Sequence, residues 1–296
     1  MATKLITMKC NGTNVRMCKM RQRIMYTLFG FLWNHTPTLA KVITQRMFFT
    51  PSTYKITPVE KQYLDRGRRF EVSVNDKAVK CWKWGSGPSI LLAHGWNGRG
   101  IQLHRFIEPL VQRGFSAIAY DGPGHGESQG TTSSYFEFTD TIRTILTSSN
   151  GYKVQGVIAH SLGASAAVNS MVKEHRSLGA VLIAPALRLA EVLYSFFDDL
   201  GLPKPIYENL IKEYENQFGY HMDRDNPSNL LKHMESKILI VHDKNDLTIP
   251  YLDSKELSNK FQNIELHTTE GLGHKGVLAD RSVVDFAVNY LEKCAG

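Results

Sequence analysis

Cysteine is scarce in this chain. Only Cys10, Cys18, Cys81 and Cys294 occur among 296 residues, and no two of them form a Cys-x-x-Cys pair. This spacing excludes a disulfide framework and a zinc site built from paired cysteines. It is typical of a protein in a reducing compartment, so we expect a cytoplasmic location.

Acidic residues are absent from the first 49 positions. That segment holds eight of the 35 Lys and Arg residues, which leaves 27 basic and 28 acidic residues in the rest of the chain. The net charge of +7 therefore belongs to the N-terminus. We predict a basic, helical N-terminal arm over residues 1–68, followed by a nearly neutral body. We expect a small-molecule substrate and no nucleic-acid partner.

Long hydrophobic runs are also lacking. The most apolar stretch of the arm, residues 24–33, has ten residues, whereas a membrane-spanning helix needs about twenty. Three interpretations of the arm stay open: a targeting peptide, a peripheral contact of residues 1–49 with anionic lipid, and a helix packed on the body. We favour the third. Nothing in the sequence indicates an oligomeric state.

The body shows alternating strand and helix patterns. Residues 70–74 and 78–84 alternate as a hairpin. Beyond them, short apolar runs alternate with stretches of helical periodicity. Strands are predicted at 89–93, 116–120, 154–159, 180–184, 238–241 and 264–268, and helices at 102–112, 135–147, 162–174, 252–260 and 279–293. This pattern predicts an α/β fold with a mainly parallel eight-stranded sheet and helices on both faces.

One long interruption breaks this alternation. Residues 186–234 are mostly helical in pattern and rich in aromatic residues. An insertion at this point would lie at the carboxyl ends of the strands, where open α/β sheets carry their sites. We therefore predict a small helical cap over 186–234 and a core formed by 69–185 and 235–296.

A serine marks one strand-to-helix junction. Ser161 follows the apolar strand that ends at His160, and Ala159 and Gly163 flank it at two residues on either side. Small residues at these positions permit the sharp turn of a nucleophile elbow, although such a junction can also be a simple helix N-cap. The elbow interpretation predicts an exposed nucleophile with free backbone N–H groups behind it.

Other polar groups follow the remaining strands. His94-Gly95-Trp96 comes after one strand, where Gly95 lets a main-chain N–H face the serine. Asp243 and Asp246 follow a second strand, and we prefer Asp246 because it lies deeper in its loop. His274 follows a third, after two glycines. The order Ser161, Asp246, His274 predicts a catalytic triad.

These motifs together resemble the α/β-hydrolase superfamily, over roughly residues 69–293. The resemblance implies an oxyanion hole formed by the N–H groups of Trp96 and Leu162, with Asp246 as the acid. The residues that we expect to support these loops are His94, Gly95, His160 and Gly163. Two departures from the usual pattern are Ala159 in place of glycine and Asp243 after His242.

The function that follows is acyl transfer to water. We expect a serine hydrolase that cleaves a carboxylic ester or thioester of modest, largely apolar character through an acyl-enzyme, without a metal or cofactor. An acyltransferase using the same triad and a non-catalytic binding protein on this fold are the alternatives. Dehalogenase and epoxide hydrolase chemistry require an aspartate nucleophile, which Ser161 contradicts.

Overall fold

The computed structural model describes residues 15–148 and 152–295, in which eight strands form a single sheet. The strands are β1 (Arg68–Val74), β2 (Lys77–Trp84), β3 (Ser89–Ala93), β4 (Ser116–Tyr120), β5 (Val154–His160), β6 (Gly179–Ile183), β7 (Ile238–Asp243) and β8 (Ile264–Thr269). Their order is β1-β2-β4-β3-β5-β6-β7-β8. The β1–β2 and β2–β4 pairs are antiparallel, and every other pair is parallel. The predicted mainly parallel eight-stranded α/β sheet is confirmed.

Helices fill most of the connections. They are α1 (Val15–His35), α2 (Pro37–Phe48), α3 (Pro58–Arg66), α4 (Ile107–Gln112), α5 (Tyr135–Thr147), α6 (Leu162–Lys173), α7 (Leu189–Asp199), α8 (Lys204–Phe218), α9 (Pro227–Leu230), α10 (Tyr251–Lys260), α11 (Gly273–Gly276) and α12 (Arg281–Ala295). Two 3₁₀ helices occupy Gly100–Phe106 and Leu231–His233. No helix among the described residues is long and apolar enough to cross a membrane.

The sheet is buried on both faces. All five residues of β3 are buried, and they alternate between two cores: Leu91 and Ala93 join α5 and α6, while Ile90 and Leu92 join α4 and α12. A strand covered on both sides loses contact with water at every position, which explains its continuous apolar sequence. Each fully buried leucine contributes about 2 kcal/mol to stability.

The first two helices pack on the helical segment that follows β6. Phe29 of α1 and Ala40 of α2 are buried. The Phe48 ring meets the Phe197 ring of α7 edge-on, with 5.4 Å between centroids. The predicted division into arm, core and cap stays a prediction, and residues 1–14 of the arm lie outside the described residues.

One predicted helix was wrong in detail. The stretch predicted as a single helix over 102–112 is a 3₁₀ helix, Gly100–Phe106, followed by α4. Pro109 has no N–H to donate to the Arg105 carbonyl, so it is tolerated in the first turn of α4 but prevents that helix from continuing back through Arg105. The last helix starts at Arg281 instead of 279, because Asp280 Oδ1 accepts from the Val283 N–H and caps it.

Candidate active site

The predicted nucleophile lies at a strained turn. Ser161 joins β5 to α6 with φ 54° and ψ −121°, a region that costs a residue with a side chain roughly 1–3 kcal/mol. The turn is held because its N–H donates to the Ile183 carbonyl of β6 at 3.0 Å. Its side chain is almost fully enclosed, with the residue 9% exposed.

Two glycines allow the neighbouring loop to touch this turn. A Cβ on Gly163 would lie 2.3 Å from the His94 carbonyl oxygen, and one on Gly95 would lie 2.9 Å from Ser161 Cβ. Any larger residue at either position would push the β3 loop away from the elbow. The predicted requirement for small residues therefore has a direct steric cause at these two positions.

His274 bridges the serine and an aspartate. Its Nε2 lies 3.0 Å from Ser161 Oγ, and its Nδ1 lies 2.7 Å from Asp246 Oδ2. The residue lies in α11, a single helical turn, and not in an open loop as the sequence suggested. Gly271 and Gly273 adopt positive φ angles of 86° and 64° just before it, which brings the chain sharply back over the sheet.

Asp246 is fixed by donors on every side. Its side chain is buried, and Oδ1 accepts from the N–H groups of Thr248 at 2.7 Å and Ile249 at 3.0 Å. Burial raises the pKa of this carboxyl group, but the nearby His242 ring and the hydrogen bond from His274 outweigh it and hold the pKa well below its usual range. The carboxylate is therefore charged and directed at the His274 ring.

Asp243, the competing acid, has different partners. Its Oδ1 accepts from the Asn245 N–H at 2.9 Å, and its Oδ2 from Thr269 Oγ1 at 2.8 Å and the Leu272 N–H at 3.0 Å. This carboxylate joins the loop after β7 to the loop that carries His274. Of the two aspartates, the structure brings Asp246 against the histidine.

The predicted oxyanion donors lie on the two adjoining segments. Leu162 begins α6, where an N–H has no acceptor within its own helix. Trp96 follows Gly95 on the β3 loop. Within the described ranges, neither N–H donates a hydrogen bond to another protein group. A substrate oxygen can therefore compete for both donors without displacing a protein acceptor.

Buried histidines hold the loops that surround the serine. His94 Nδ1 donates to the Gly95 carbonyl at 2.8 Å, while its Nε2 accepts from the Gly122 N–H at 2.8 Å. Burial lowers the pKa of His94 to about 4 and keeps it neutral. His160 Nε2 donates to the His274 carbonyl at 2.9 Å, and burial lowers its pKa to about 3.

Two sequence comparisons find relatives. The family model described as serine aminopeptidase, S33 matches residues 87–216. Over 82 residues the chain is 33% identical to a non-heme chloroperoxidase from Kitasatospora aureofaciens, covering 27% of this chain and 30% of that protein. The chain therefore matches less than a third of that curated relative's length.

Solved structures share the fold over nearly their whole length. An esterase from Pyrococcus furiosus superposes with a TM-score of 0.62 at 18% identity, covering 84% of this chain and 98% of the other. Est1E from Butyrivibrio proteoclasticus, with ferulic acid bound, superposes with a TM-score of 0.63 at 16% identity, covering 76% and 99%. The chain has the α/β-hydrolase fold, and the family model that matches residues 87–216 supports its place in that superfamily. At identities of 16–18%, these two structural matches establish the fold alone.

One neighbour of the site had no role in the sequence analysis. His242 is fully buried, with Nδ1 2.7 Å from Ser254 Oγ and Nε2 3.3 Å from Asp246 Oδ2. The Nε2 contact is within ion-pair distance but lacks hydrogen-bond alignment. The available signal was the spacing, since a residue at the end of β7 lies four positions before the predicted acid. We interpret His242 as a second histidine on the Asp246 carboxylate.

No group of three or more His, Cys, Asp or Glu side chains among residues 15–148 and 152–295 is arranged to hold a metal ion.

Proposed function

We propose that this α/β hydrolase is a serine hydrolase that cleaves a carboxylic ester or thioester with a modest, largely apolar acyl group. The observation that carries the proposal is the position of His274, whose two ring nitrogens contact Ser161 Oγ and Asp246 Oδ2 at 3.0 and 2.7 Å. Esterases among the structures that share its fold support this reaction class.

In the first half of the reaction, Ser161 Oγ attacks the substrate carbonyl carbon. His274 Nε2 accepts the hydroxyl proton as the new C–O bond forms. The charged Asp246 carboxylate holds the proton on Nδ1 and stabilises the imidazolium. His274 then donates its proton to the leaving alcohol or thiol as the bond to that group breaks, which leaves an acyl-enzyme.

The carbonyl oxygen becomes an oxyanion in each tetrahedral intermediate. The N–H groups of Trp96 and Leu162 are the donors that we assign to it, and each such donor contributes roughly 3–4 kcal/mol to transition-state stabilisation in related sites. In the second half, water attacks the acyl-enzyme while His274 takes its proton. The proton then returns to Ser161 Oγ as the acid product leaves.

Hydrolysis of p-nitrophenyl esters from C2 to C12 tests this function. We expect Ser161→Ala and His274→Ala to lower kcat by roughly three to six orders of magnitude, because no other group supplies the nucleophile or the base. Asp246→Asn should cost less than either. The chain-length optimum of the wild type then measures the acyl site.

Ser165→Ala is the matched control for the serine. Ser165 lies one helical turn after Ser161, and its hydroxyl donates to the Ala186 carbonyl at 2.7 Å. We expect it to keep nearly the wild-type rate and to react with a fluorophosphonate probe. Failure of both wild type and Ser165→Ala to react with the probe, together with no ester turnover above Ser161→Ala, would reject the hydrolase in favour of a binding protein.

A further inference from the structure

Helix α1 is apolar on two opposite faces. One face packs on the body through Phe29, which is 2% exposed, and through partly buried Met25, Leu32 and Trp33. The other face carries four apolar residues spaced three or four apart that are 51–60% exposed, Met20, Ile24, Leu28 and Phe31, and the exposed His35 ring stacks on Phe31. We call these four residues the arm face. An amphipathic surface helix normally turns polar residues outward, so the arm face requires an apolar partner.

Positive charge surrounds the arm face. At 3.6 residues per turn, Arg21 and Arg23 lie on opposite sides of the stripe that the arm face forms. The first 49 residues carry eight Lys and Arg residues and no acid. An apolar stripe bordered by cations is the pattern of a helix that lies flat in the headgroup region of an anionic membrane.

The charge also argues against a second copy of this chain as the partner. A two-fold contact would place the arm face of one copy against that of another. The arginines that border the arm face, Arg21 and Arg23, would then approach those of the neighbouring copy, whereas Lys41 of α2 already pairs with Glu213. An anionic lipid surface provides both the apolar layer and the opposite charge.

The arm is tied to the region above the site. Gln22 Nε2 donates to the Asp199 carbonyl at the end of α7 at 2.6 Å, and Gln45 Nε2 donates to Tyr214 Oη of α8 at 2.9 Å. Farther along, the Ser52 N–H donates to Asn97 Oδ1, next to Trp96, at 2.8 Å. A membrane bound to α1 would therefore hold α7 and α8 at the lipid surface.

We propose that the arm face inserts into the interface of an anionic lipid bilayer and docks this protein peripherally through α1. The ligand is the anionic lipid surface itself, held by apolar insertion together with charge attraction. This docking does not depend on the chemistry at Ser161, so the Ser161→Ala variant should bind vesicles as the wild type does.

Vesicle co-sedimentation of the full chain tests the proposal. We expect binding to vesicles of phosphatidylcholine with 30% phosphatidylglycerol, and weaker binding to pure phosphatidylcholine or at high salt. Leu28→Glu should weaken binding roughly tenfold to a hundredfold, because it replaces an apolar side chain that would be buried in the bilayer with an anion. Val59→Glu is the matched control. It introduces the same charge at an apolar residue of α3 that is 52% exposed, and it should bind as the wild type does.

Three results would overturn this proposal. They are the absence of vesicle binding by the wild type, equal binding by Leu28→Glu and Val59→Glu, and a dimer in light scattering that Leu28→Glu dissociates. Thermal unfolding of both variants is measured in parallel. An unchanged Tm shows that a loss of binding is not a loss of fold, and it keeps this test separate from that of the proposed function.

Discussion

At the scale of single residues, Asp246 is the most constrained group of the candidate site. Two backbone N–H groups fix one carboxylate oxygen, and two histidines approach the other, His274 at 2.7 Å and His242 at 3.3 Å. A carboxylate with this many donors cannot turn away from His274. We therefore assign His242 as a positioning residue that acts through Asp246.

Replacing His242 tests this role. An asparagine at 242 can keep the contact with Ser254 Oγ but cannot reach Asp246, so we expect His242→Asn to lower kcat about tenfold, on the order of 1.4 kcal/mol. The acid limb of the pH–rate profile should also move to higher pH. Without the His242 ring beside it, the Asp246 carboxylate would attract the protonated His274 ring more strongly. His242→Gln places an amide nearer Asp246 and should restore most of the rate. Equal rates in all three proteins would remove His242 from the site.

The sequence identified the groups that a motif describes and missed those that depend on folding. Ser161 could be found because Ala159 and Gly163 must be small at a sharp turn. His274 could be found because it follows two glycines after the last strand. For His242 the only signal was its spacing from Asp246, because the contact between them depends on how the β7 loop folds back. The preference for Asp246 over Asp243 rested on its deeper place in the loop, and the structure brings Asp246 against His274.

At the scale of elements, the elbow depends on close contact between the β3 loop and the start of α6. Gly163 lies where a Cβ would be 2.3 Å from the His94 carbonyl oxygen and 2.8 Å from that of Ala93. Both oxygens belong to backbone, which cannot move aside as a flexible side chain can. The loop that carries Trp96 therefore requires glycine at this position.

A pair of glycine substitutions tests this dependence. We expect Gly163→Ala to destabilise the fold by about 1–3 kcal/mol and to lower esterase kcat at least tenfold, because it displaces the Trp96 loop. Gly30→Ala is the control: it lies within α1 and has no atom within 4 Å of a built Cβ. It should stabilise the protein by up to about 1 kcal/mol without changing the rate. Thermal unfolding and ester turnover measure both effects, and an active Gly163→Ala would show that the contact is not needed.

At the scale of the whole molecule, three buried histidines around the site are neutral. Burial lowers the pKa of His94 to about 4 and those of His125 and His160 to about 3. In the unfolded chain each would titrate near 6.5. The unfolded state therefore binds more protons below that pH, and stability falls as the pH drops from about 6.5 towards the folded pKa values.

Urea unfolding at pH 7.5 and pH 5.0 tests this linkage. We expect each histidine to contribute about 2 kcal/mol of lost stability at pH 5. Asp246 and the other carboxylates with lowered pKa lose their contribution only below about pH 4, outside this window. His125→Asn keeps a donor for the Pro123 carbonyl that His125 Nδ1 contacts at 2.9 Å. It should reduce the loss by about one histidine's share, and an unchanged loss would contradict this account.

The overall architecture was more predictable than its surface. Runs such as residues 90–93 and 117–119 are continuously apolar because both faces of the sheet are covered, and this makes parallel strands recognisable in the sequence. The arm was harder to interpret. Ile24 and Phe29 are equally apolar in the sequence, yet one is exposed and the other buried. Only the packing of α1 on the body distinguishes them.

The wide separation of the site residues along the chain affects how the protein becomes active during its synthesis. Ser161 and His274 are 113 positions apart, and the β8 strand that precedes His274 pairs only with β7 at the edge of the sheet. The ribosome therefore releases the serine well before the histidine that contacts it. A nascent chain can form the elbow early, but its chemistry must wait until β8 has docked. Onset of ester turnover would then report completion of the sheet.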